Sequence, residues 1–193
     1  MIEQTLTQEA ELIVASQNGK DEAFQELMTR YMGPIFNFSR QYSKTDEDAE
    51  DITQDTFFKA WRHIKRFDAS KAFKPWLYAI ARNTALDHLK RKRASAFSEL
   101  DGEETDIQFS ESLEDTEPTP GEIFERQELA AEVAESMREL HPDHRAVLLM
   151  HYREELTFSE IADIMKKPMN TVKSWHRRAL SKLKKTLSHR KIS

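Results

Sequence analysis

An acidic segment in the middle of the chain limits how the chain can fold. Residues 94–125 contain eleven Asp and Glu and no Lys or Arg, so the rest of the chain carries a net charge of +6 although the total is −5. From residue 94 to about 119 the composition is rich in Ser, Glu, Asp, Thr, Gly and Pro, and the few apolar residues show no periodicity. Such a segment cannot bury enough apolar surface to offset its ordering entropy. We therefore predict a flexible acidic linker over residues 96–120.

The segments on either side of this linker have helical patterns. Only four glycines and six prolines occur in 193 residues, and abundant Ala, Leu, Glu, Lys and Arg favour long helices over a sheet. We predict an all-α protein with an N-terminal domain over residues 1–95 and a C-terminal domain over residues 121–193. The lack of cysteine excludes disulfides and thiolate metal sites. The sequence contains neither the apolar core of a signal peptide nor a membrane-spanning run, so a cytoplasmic protein without membrane insertion is expected.

Helical spacing predicts four helices in the N-terminal domain. Apolar residues at positions 24, 27, 28 and 31 share one helix face, and the pattern resumes at positions 35, 36 and 38. Gly33-Pro34 lies between the two, where a proline kinks a helix or ends it. The third helix follows Thr45, which can cap its first turn, and runs to about Phe67. The fourth begins near Pro75, because proline suits a first helical position.

The start of the fourth helix combines aromatic residues with a downstream basic run. The sequence FKPWLYAIARN leads within ten residues into KRKR at residues 90–93. Most of this cluster is expected to be core, but four aromatic side chains cannot all point the same way, so some aromatic surface should remain near solvent. Exposed rings beside cations can stack on unpaired bases. The residues available to such a platform are Phe67, Phe73, Trp76, Tyr78, Arg82, Asn83 and residues 90–93. A purely structural core remains the alternative.

A capping box and a tight turn define two short helices near the C-terminus. Thr157 and Glu160 fit the Thr-x-x-Glu pattern that opens a helix, and Lys167-Pro168 ends that helix. A second, strongly basic helix begins near Asn170 or Thr171. This arrangement predicts a helix-turn-helix motif. In the alternative interpretation, the pair is a helical hairpin with a solvated basic face.

A helix-turn-helix would place the second helix in the major groove of DNA. Val172, Ala179 and Leu183 would then face the core. The residues that could meet base edges or phosphates are Asn170, Thr171, Lys173, Ser174, Arg177 and Arg178.

No catalytic or metal-binding pattern emerges from the sequence. A glycine-rich phosphate loop, a nucleophile elbow and a pair of catalytic carboxylates are all missing, so we expect neither an enzyme nor a cofactor. His141, His144 and His151 lack an acidic or sulfur partner that would complete a metal site. We interpret them as structural or solvent-exposed histidines.

Four blocks of the sequence follow one another in a distinctive order. They are DAEDITQDTFFKAW, FKPWLYAIARNTALDHLKRKR, LHPDHRAVLLMHYREELTFSEIADIM and NTVKSWHRRALSKL, with the acidic linker between the second and the third. Together they resemble bacterial sigma factors of the extracytoplasmic-function (ECF) group over nearly the whole chain. The resemblance implies a two-domain helical initiation factor that binds core RNA polymerase, directs it to promoters and promotes promoter melting. It also implies an inhibitory anti-sigma partner, and a monomer when the protein is free.

The resemblance assigns roles to individual residues. Binding to core polymerase would fall to Asp51, Gln54 and Asp55. Recognition and melting of the minus-ten region would fall to Phe67, Trp76, Arg82, Asn83, Lys90, Arg91 and Arg93. The helix-turn-helix would read the minus-thirty-five element, and the acidic linker would occupy a basic nucleic-acid channel of the polymerase.

Three positions of the second helix depart from the family pattern. Trp175 and His176 stand where arginine and leucine are common, so the register of the buried face could shift, and we do not assign Trp175 to base reading. Asn170 replaces a common glycine, but asparagine tolerates left-handed and capping geometries, so the turn should form.

Two other classes of function stay open on the sequence alone. A conventional helix-turn-helix regulator would use only the C-terminal motif and would usually dimerise to read two half-sites. A helical adaptor that does not bind DNA would show negligible salt dependence of DNA association.

Overall fold

The protein is described by a computed structural model over residues 2–96, 133 and 136–190, with side chains described over residues 8–92, 133 and 136–185. These residues contain α-helices and no strand, which confirms the predicted all-α class. The helices are α1 (Ile2–Gln17), α2 (Asp21–Ser39), α3 (Asp46–His63), α4 (Phe73–Ala96), α5 (Pro142–Tyr152), α6 (Phe158–Met165) and α7 (Met169–Arg190), with a 3₁₀ turn (Ile64–Arg66) after α3. The predicted linker lies outside the described residues except for Ala96, which ends α4.

Helix α2 continues through Pro34, so the alternative that this proline ends a helix is wrong. The buried residues of α2 fall on both sides of the proline, and they include Phe24, Leu27, Ile35 and Phe38. An interior proline costs about 3 kcal/mol, whereas complete burial of one such side chain contributes about 1.5–3 kcal/mol. Burial along the whole face therefore outweighs the local cost, and one helix replaces the two that the spacing predicted.

Helix α1 is not among the predicted helices. It packs against α2 and against the 3₁₀ turn, and its Ile13 is buried. The side-chain amide of Gln17 donates to the backbone oxygens of Ile64 at 3.0 Å and of Phe67 at 2.7 Å. The end of α1 thus fixes the loop that leads into α4.

Helices α3 and α4 begin close to the predicted positions. The Thr45 hydroxyl accepts a hydrogen bond from the backbone N–H of Asp48 at 3.2 Å, as expected of a cap. Helix α4 begins at Phe73, two residues before Pro75, and packs against α2 and α3. We call the assembly of α1–α4 the N-terminal bundle.

The helix-turn-helix prediction is confirmed in α6 and α7. Thr157 and Glu160 form the complete capping box, and α6 ends at Met165 with Lys166 in a left-handed conformation (φ 48°). The turn therefore uses Lys166 as its left-handed residue, while Asn170 is already helical. Helix α7 packs against α5 and α6, and these three helices form the C-terminal bundle.

The two bundles share one apolar core. Helix α6 lies against α4, and a continuous cluster of buried side chains includes Leu77 and Tyr78 of α4 together with Ile161 and Met165 of α6. The basic helix α7 therefore rests, through α6, on the helix that carries the aromatic cluster. The boundaries 1–95 and 121–193 stay predictions.

Candidate nucleic-acid interface

The acidic face of α3 is accessible. Asp51 and Gln54 are exposed and Asp55 is half-buried. The three line a shallow pocket of about 420 Å³ together with His88, Arg91 and Lys92 of α4. Arg91 Nη2 lies 3.4 Å from Asp55 Oδ2. The structure therefore places the predicted polymerase-binding residues directly beside one of the predicted minus-ten residues.

Asp48 anchors α4 to α3 beneath this pocket. Its carboxylate lies 2.6 Å from Lys92 Nζ and 3.2 Å from His88 Nε2. Burial alone would raise the pKa of Asp48, but the hydrogen bond and charge of Lys92, with smaller contributions from Thr45 and His88, lower it below its usual value. The buried carboxylate is thus charged at neutral pH and holds the basic end of α4 in place.

An exposed aromatic pair on α3 was missed in the sequence. Phe58 is 57% exposed and Trp61 is 49% exposed, and their ring centroids lie 6.4 Å apart. They border an open groove of about 410 Å³ whose other lining residues are Asp21, Phe24, Gln25, Met28, Gln54 and Phe57. The adjacency of Phe57 and Phe58 was the available signal, because consecutive helical side chains point about 100° apart and cannot share one buried face.

The aromatic cluster around α4 is mostly core, and some partly exposed aromatic surface remains at Trp76. Phe67 is only 7% exposed, and its ring lies 5.7 Å from Phe73 and 4.8 Å from Trp76. Phe73 and Tyr78 are buried, and Trp76 alone keeps partial exposure. The loop before α4 folds back over the helix, so side chains that diverge along the chain converge in space.

The remaining predicted minus-ten residues divide into a buried and an exposed group. Arg82 is only 7% exposed, and Asn83 is half-buried. Burial raises the pKa of the Tyr42 hydroxyl, in the turn between α2 and α3, and the positive charge of Arg82 opposes that rise. Lys90 and Arg91 are exposed. The side chain of Arg93 lies outside the described side chains.

Helix α7 presents the predicted basic row to solvent. Asn170, Lys173, Arg177 and Arg178 are exposed, and Thr171 and Ser174 are half-buried. The Ser174 hydroxyl donates to the backbone oxygen of Thr171 at 2.9 Å. Val172 and Ala179 are fully buried, as predicted, and Leu183 packs against the core from a partly buried position.

Trp175 and His176 do not disturb that register. Trp175 packs against the core with its ring 5.8 Å from the ring of His144. His176 stacks on Tyr152, and its Nε2 lies 3.1 Å from the tyrosine hydroxyl. The ring of His151 lies 5.3 Å from the ring of His176. An aromatic cluster thus fills the place where the family commonly has leucine.

Two of these histidines have perturbed acidities. Burial first, and the charge of His151 second, lower the pKa of His176 below its usual value of 6.5. Burial also lowers the pKa of His144, with smaller contributions from His141 and Arg178. Both imidazoles are therefore neutral at pH 7.

Two further observations concern only the described part of the chain. No cluster of three or more His, Asp or Glu side chains with the geometry of a metal site occurs there. None of its helices combines the length and the apolarity that a membrane span needs.

Comparison with known proteins covers both bundles. The family description Sigma-70 region 2 matches residues 27–95, and Sigma-70, region 4 matches residues 130–183. The RNA polymerase sigma-H factor of Pseudomonas aeruginosa is 32% identical over 185 residues, which span 95% of each chain. The ECF RNA polymerase sigma factor SigW of Bacillus subtilis is 29% identical over 171 residues, which span 88% of this chain and 91% of SigW.

A solved structure shares the fold. The sigma factor RpoE of Bartonella quintana, in complex with the anti-sigma factor NepR, is 19% identical and superposes with a TM-score of 0.69. The match covers 86% of this chain and 96% of RpoE.

Proposed function

The chain belongs to the ECF group of bacterial RNA polymerase sigma factors, and on that premise we propose which of its surfaces binds the polymerase and which bind each promoter element. It is a non-enzymatic initiation factor that binds RNA polymerase and directs it to promoters. The likeness to a curated sigma factor over nearly the whole length of both chains carries this conclusion.

The core polymerase docks on α3. Asp51, Gln54 and Asp55 supply its polar contacts, and the Phe58–Trp61 pair supplies an apolar anchor. Gln54 lines both the pocket beside Asp51 and Asp55 and the groove beside Phe58 and Trp61, which supports a single continuous binding face. Exposed aromatic side chains next to polar groups are typical of residues that dominate the binding energy of an interface.

The minus-ten region of the promoter binds along α4. Asn83 and Phe67 capture and unstack a base, and Trp76 and Arg82 hold these two residues in place. The DNA backbone on either side of that base contacts the cations Lys90, Arg91 and Arg93. Unstacking a base costs a few kcal/mol, which aromatic stacking and phosphate contacts can offset. The exposure of Lys90 and Arg91 supports the backbone role.

The minus-thirty-five element binds along α7. Its exposed row supports this role, because Asn170, Lys173, Arg177 and Arg178 can reach base edges or phosphates without repacking. Thr171 and Ser174 complete the row at its half-buried edge. The acidic linker occupies a basic nucleic-acid channel of the polymerase.

Transcription in vitro with purified core polymerase tests this function. The protein should stimulate initiation from a specific set of promoters, while the free protein binds the same DNA with little specificity. Tight, specific binding without core polymerase, together with unstimulated initiation, would contradict the proposal and favour a conventional regulator. Within cells we place the protein in the cytoplasm, as a monomer that an anti-sigma factor holds inactive until a signal releases it.

A further inference from the structure

The end of helix α1 is fixed by its own capping contacts. Gln17 is the last residue of α1, and Gly19 follows with a φ of 86°. The backbone N–H of Gly19 donates to the Ser16 oxygen at 3.0 Å, and that of Lys20 donates to the Ala15 oxygen at 3.1 Å. These two bonds around a left-handed glycine form a Schellman-type cap. Gln17 therefore lies at a well-defined helix end.

Gln17 joins this helix end to the loop that leads into α4. Its half-buried side-chain amide donates to the Ile64 oxygen at 3.0 Å and to the Phe67 oxygen at 2.7 Å. The first oxygen belongs to the first residue of the 3₁₀ turn, and the second belongs to the residue directly after that turn. An amide nitrogen has two N–H donors, so this one side chain can hold both ends of the turn.

A second series of contacts connects α1 with the ring of Phe67. The Tyr31 hydroxyl of α2 donates to a carboxylate oxygen of Glu9 in α1 at 2.5 Å. The Tyr31 ring lies 5.6 Å from the ring of Phe73, which in turn lies 5.7 Å from the ring of Phe67. All three rings are buried. Helix α1 is therefore linked to Phe67 at two places, the backbone oxygen and the ring.

The loop beyond Phe67 is held by local bonds. Asp68 Oδ1 accepts hydrogen bonds from the Ser70 backbone N–H at 3.1 Å and from the Ser70 hydroxyl at 2.7 Å. The Lys71 backbone N–H donates to the Asp68 oxygen at 2.9 Å. Asp at the first position of such a turn stabilises it in this way. The far end of the loop thus has its own turn, while Gln17 holds the near end.

The loop that Gln17 contacts carries a residue with a role in the proposed function. Phe67 is assigned there to unstacking a minus-ten base. A group that is already held in its binding geometry loses less conformational freedom when it engages its partner. The Sigma-70 region 2 match begins at residue 27, so α1 lies ahead of the matched residues and the loop lies within them.

We propose that Gln17 is a positioning residue for promoter opening: its amide holds the loop before α4 in the geometry in which Phe67 engages an unstacked minus-ten base. This inference rests on the proposed function for the role of Phe67. Gln17 acts through two backbone oxygens and not by contact with DNA. Without its donors the loop would populate other conformations, and the rate of opening would fall with the fraction that stays competent.

The time course of permanganate reactivity at minus-ten thymines, measured with holoenzyme, tests this role. Gln17→Met keeps the side-chain length and removes both donors, so opening should slow at least about fivefold. Gln17→Lys keeps N–H donors and should stay within about twofold of the parent chain. Gln8→Met is the matched control, because it makes the same change on the same helix and removes exposed contacts to Glu26 and Arg30 at 3.4 Å. Equal opening rates in Gln17→Met and Gln8→Met would overturn the proposal.

A promoter with mismatched, already unpaired minus-ten bases separates positioning from a general loss of fold. On this template Gln17→Met should initiate within about twofold of the parent chain, because no base has to leave a paired stack. An equal defect on the paired and the mismatched promoter would contradict the proposed role. Gln17→Glu replaces Gln17→Met if the latter loses its helical circular dichroism, since it keeps the shape of glutamine and presents only oxygens to the two carbonyls.

Hydrogen exchange of the free chain tests the loop without polymerase. The Phe67 backbone N–H donates to the Ile64 oxygen at 3.0 Å. Amides of residues 64–72 should exchange at least about tenfold faster in Gln17→Met than in the parent chain or Gln8→Met. Faster exchange with unchanged opening would make Gln17 a structural contact only and overturn the proposal. If the parent chain did not stimulate initiation, the proposed function would fail, while exchange would still show whether Gln17 fixes the loop.

Discussion

The ammonium group of Lys74 reaches across the two bundles and contacts both the carboxylate and the backbone oxygen of Glu154, at 3.1 and 2.9 Å. Glu154 is buried, whereas Lys74 keeps about a third of its side chain exposed. Without Lys74, the buried carboxylate of Glu154 would lose a charged partner and could not be well solvated by water. Without Glu154, water could still solvate the ammonium group of Lys74. Removing Lys74 should therefore cost more stability than removing the charge of Glu154.

Lys74→Met should lower the free energy of unfolding by about 1–3 kcal/mol at pH 7, because it leaves a buried carboxylate without its partner. Glu154→Gln should cost less, since it removes the buried charge. Urea denaturation measures both. The double variant Lys74→Met with Glu154→Gln should be more stable than Lys74→Met alone, and strictly additive effects would show that the two groups do not interact.

Phe67→Leu and Asn83→Ala should leave polymerase affinity unchanged and reduce promoter opening. Alanine is unsuitable at position 67, because loss of the buried ring would cost about 3–5 kcal/mol of stability. Permanganate reactivity of unpaired thymines reports opening, and co-purification with polymerase reports binding. An equal loss of binding in both variants would show that these residues do not act on the promoter.

Trp61→Ala should weaken binding to core polymerase by about 2 kcal/mol or more, as expected of an aromatic anchor. Gln54→Ala should weaken it less. Glu50→Gln, an exposed change on the same helix, is the control and should have no effect. Affinities from fluorescence anisotropy with labelled protein distinguish the three. If Glu50→Gln were as harmful as Trp61→Ala, the assignment to one defined face would be wrong.

Lys173→Ala should weaken promoter binding by the holoenzyme to a similar degree on different promoters. If the lysine contacts a phosphate, the slope of log affinity against log salt concentration should become shallower by about 0.9. Titration at several salt concentrations measures that slope. Lys20→Ala, an exposed change between α1 and α2, should leave the slope as it is in the parent protein.

Stability should decrease as the pH falls below about 6.5. Burial lowers the folded-state pKa of His144 and His176 below their usual value of 6.5. Below 6.5 the unfolded chain therefore binds more protons than the folded one, and the stabilisation present above that pH is lost. His176→Leu should reduce the difference in melting temperature between about pH 7.5 and 5.5, and the exposed His63→Gln should not. An equal difference in all three proteins would exclude His176 as a cause.

Local patterns predicted the helices that depend on neighbouring residues. The Thr157–Glu160 capping box and the Thr45 cap formed as expected, because each joins groups three residues apart. The buried positions Val172 and Ala179 also followed from helical periodicity. Local patterns did not predict helix α1 or the continuation of α2 through Pro34, since both depend on burial against distant segments.

The sequence by itself determined the helical class, the helix-turn-helix, the acidic segment and the order of the family blocks, because these reside in composition and short-range spacing. Only the tertiary structure decided that Phe67 and Arg82 are buried while Phe58 and Trp61 are exposed. It alone paired Lys74 with Glu154, 80 positions away. The physical reason is that a side chain's exposure depends on which remote surfaces cover it, and a residue's nearest neighbours in the chain carry no information about those surfaces.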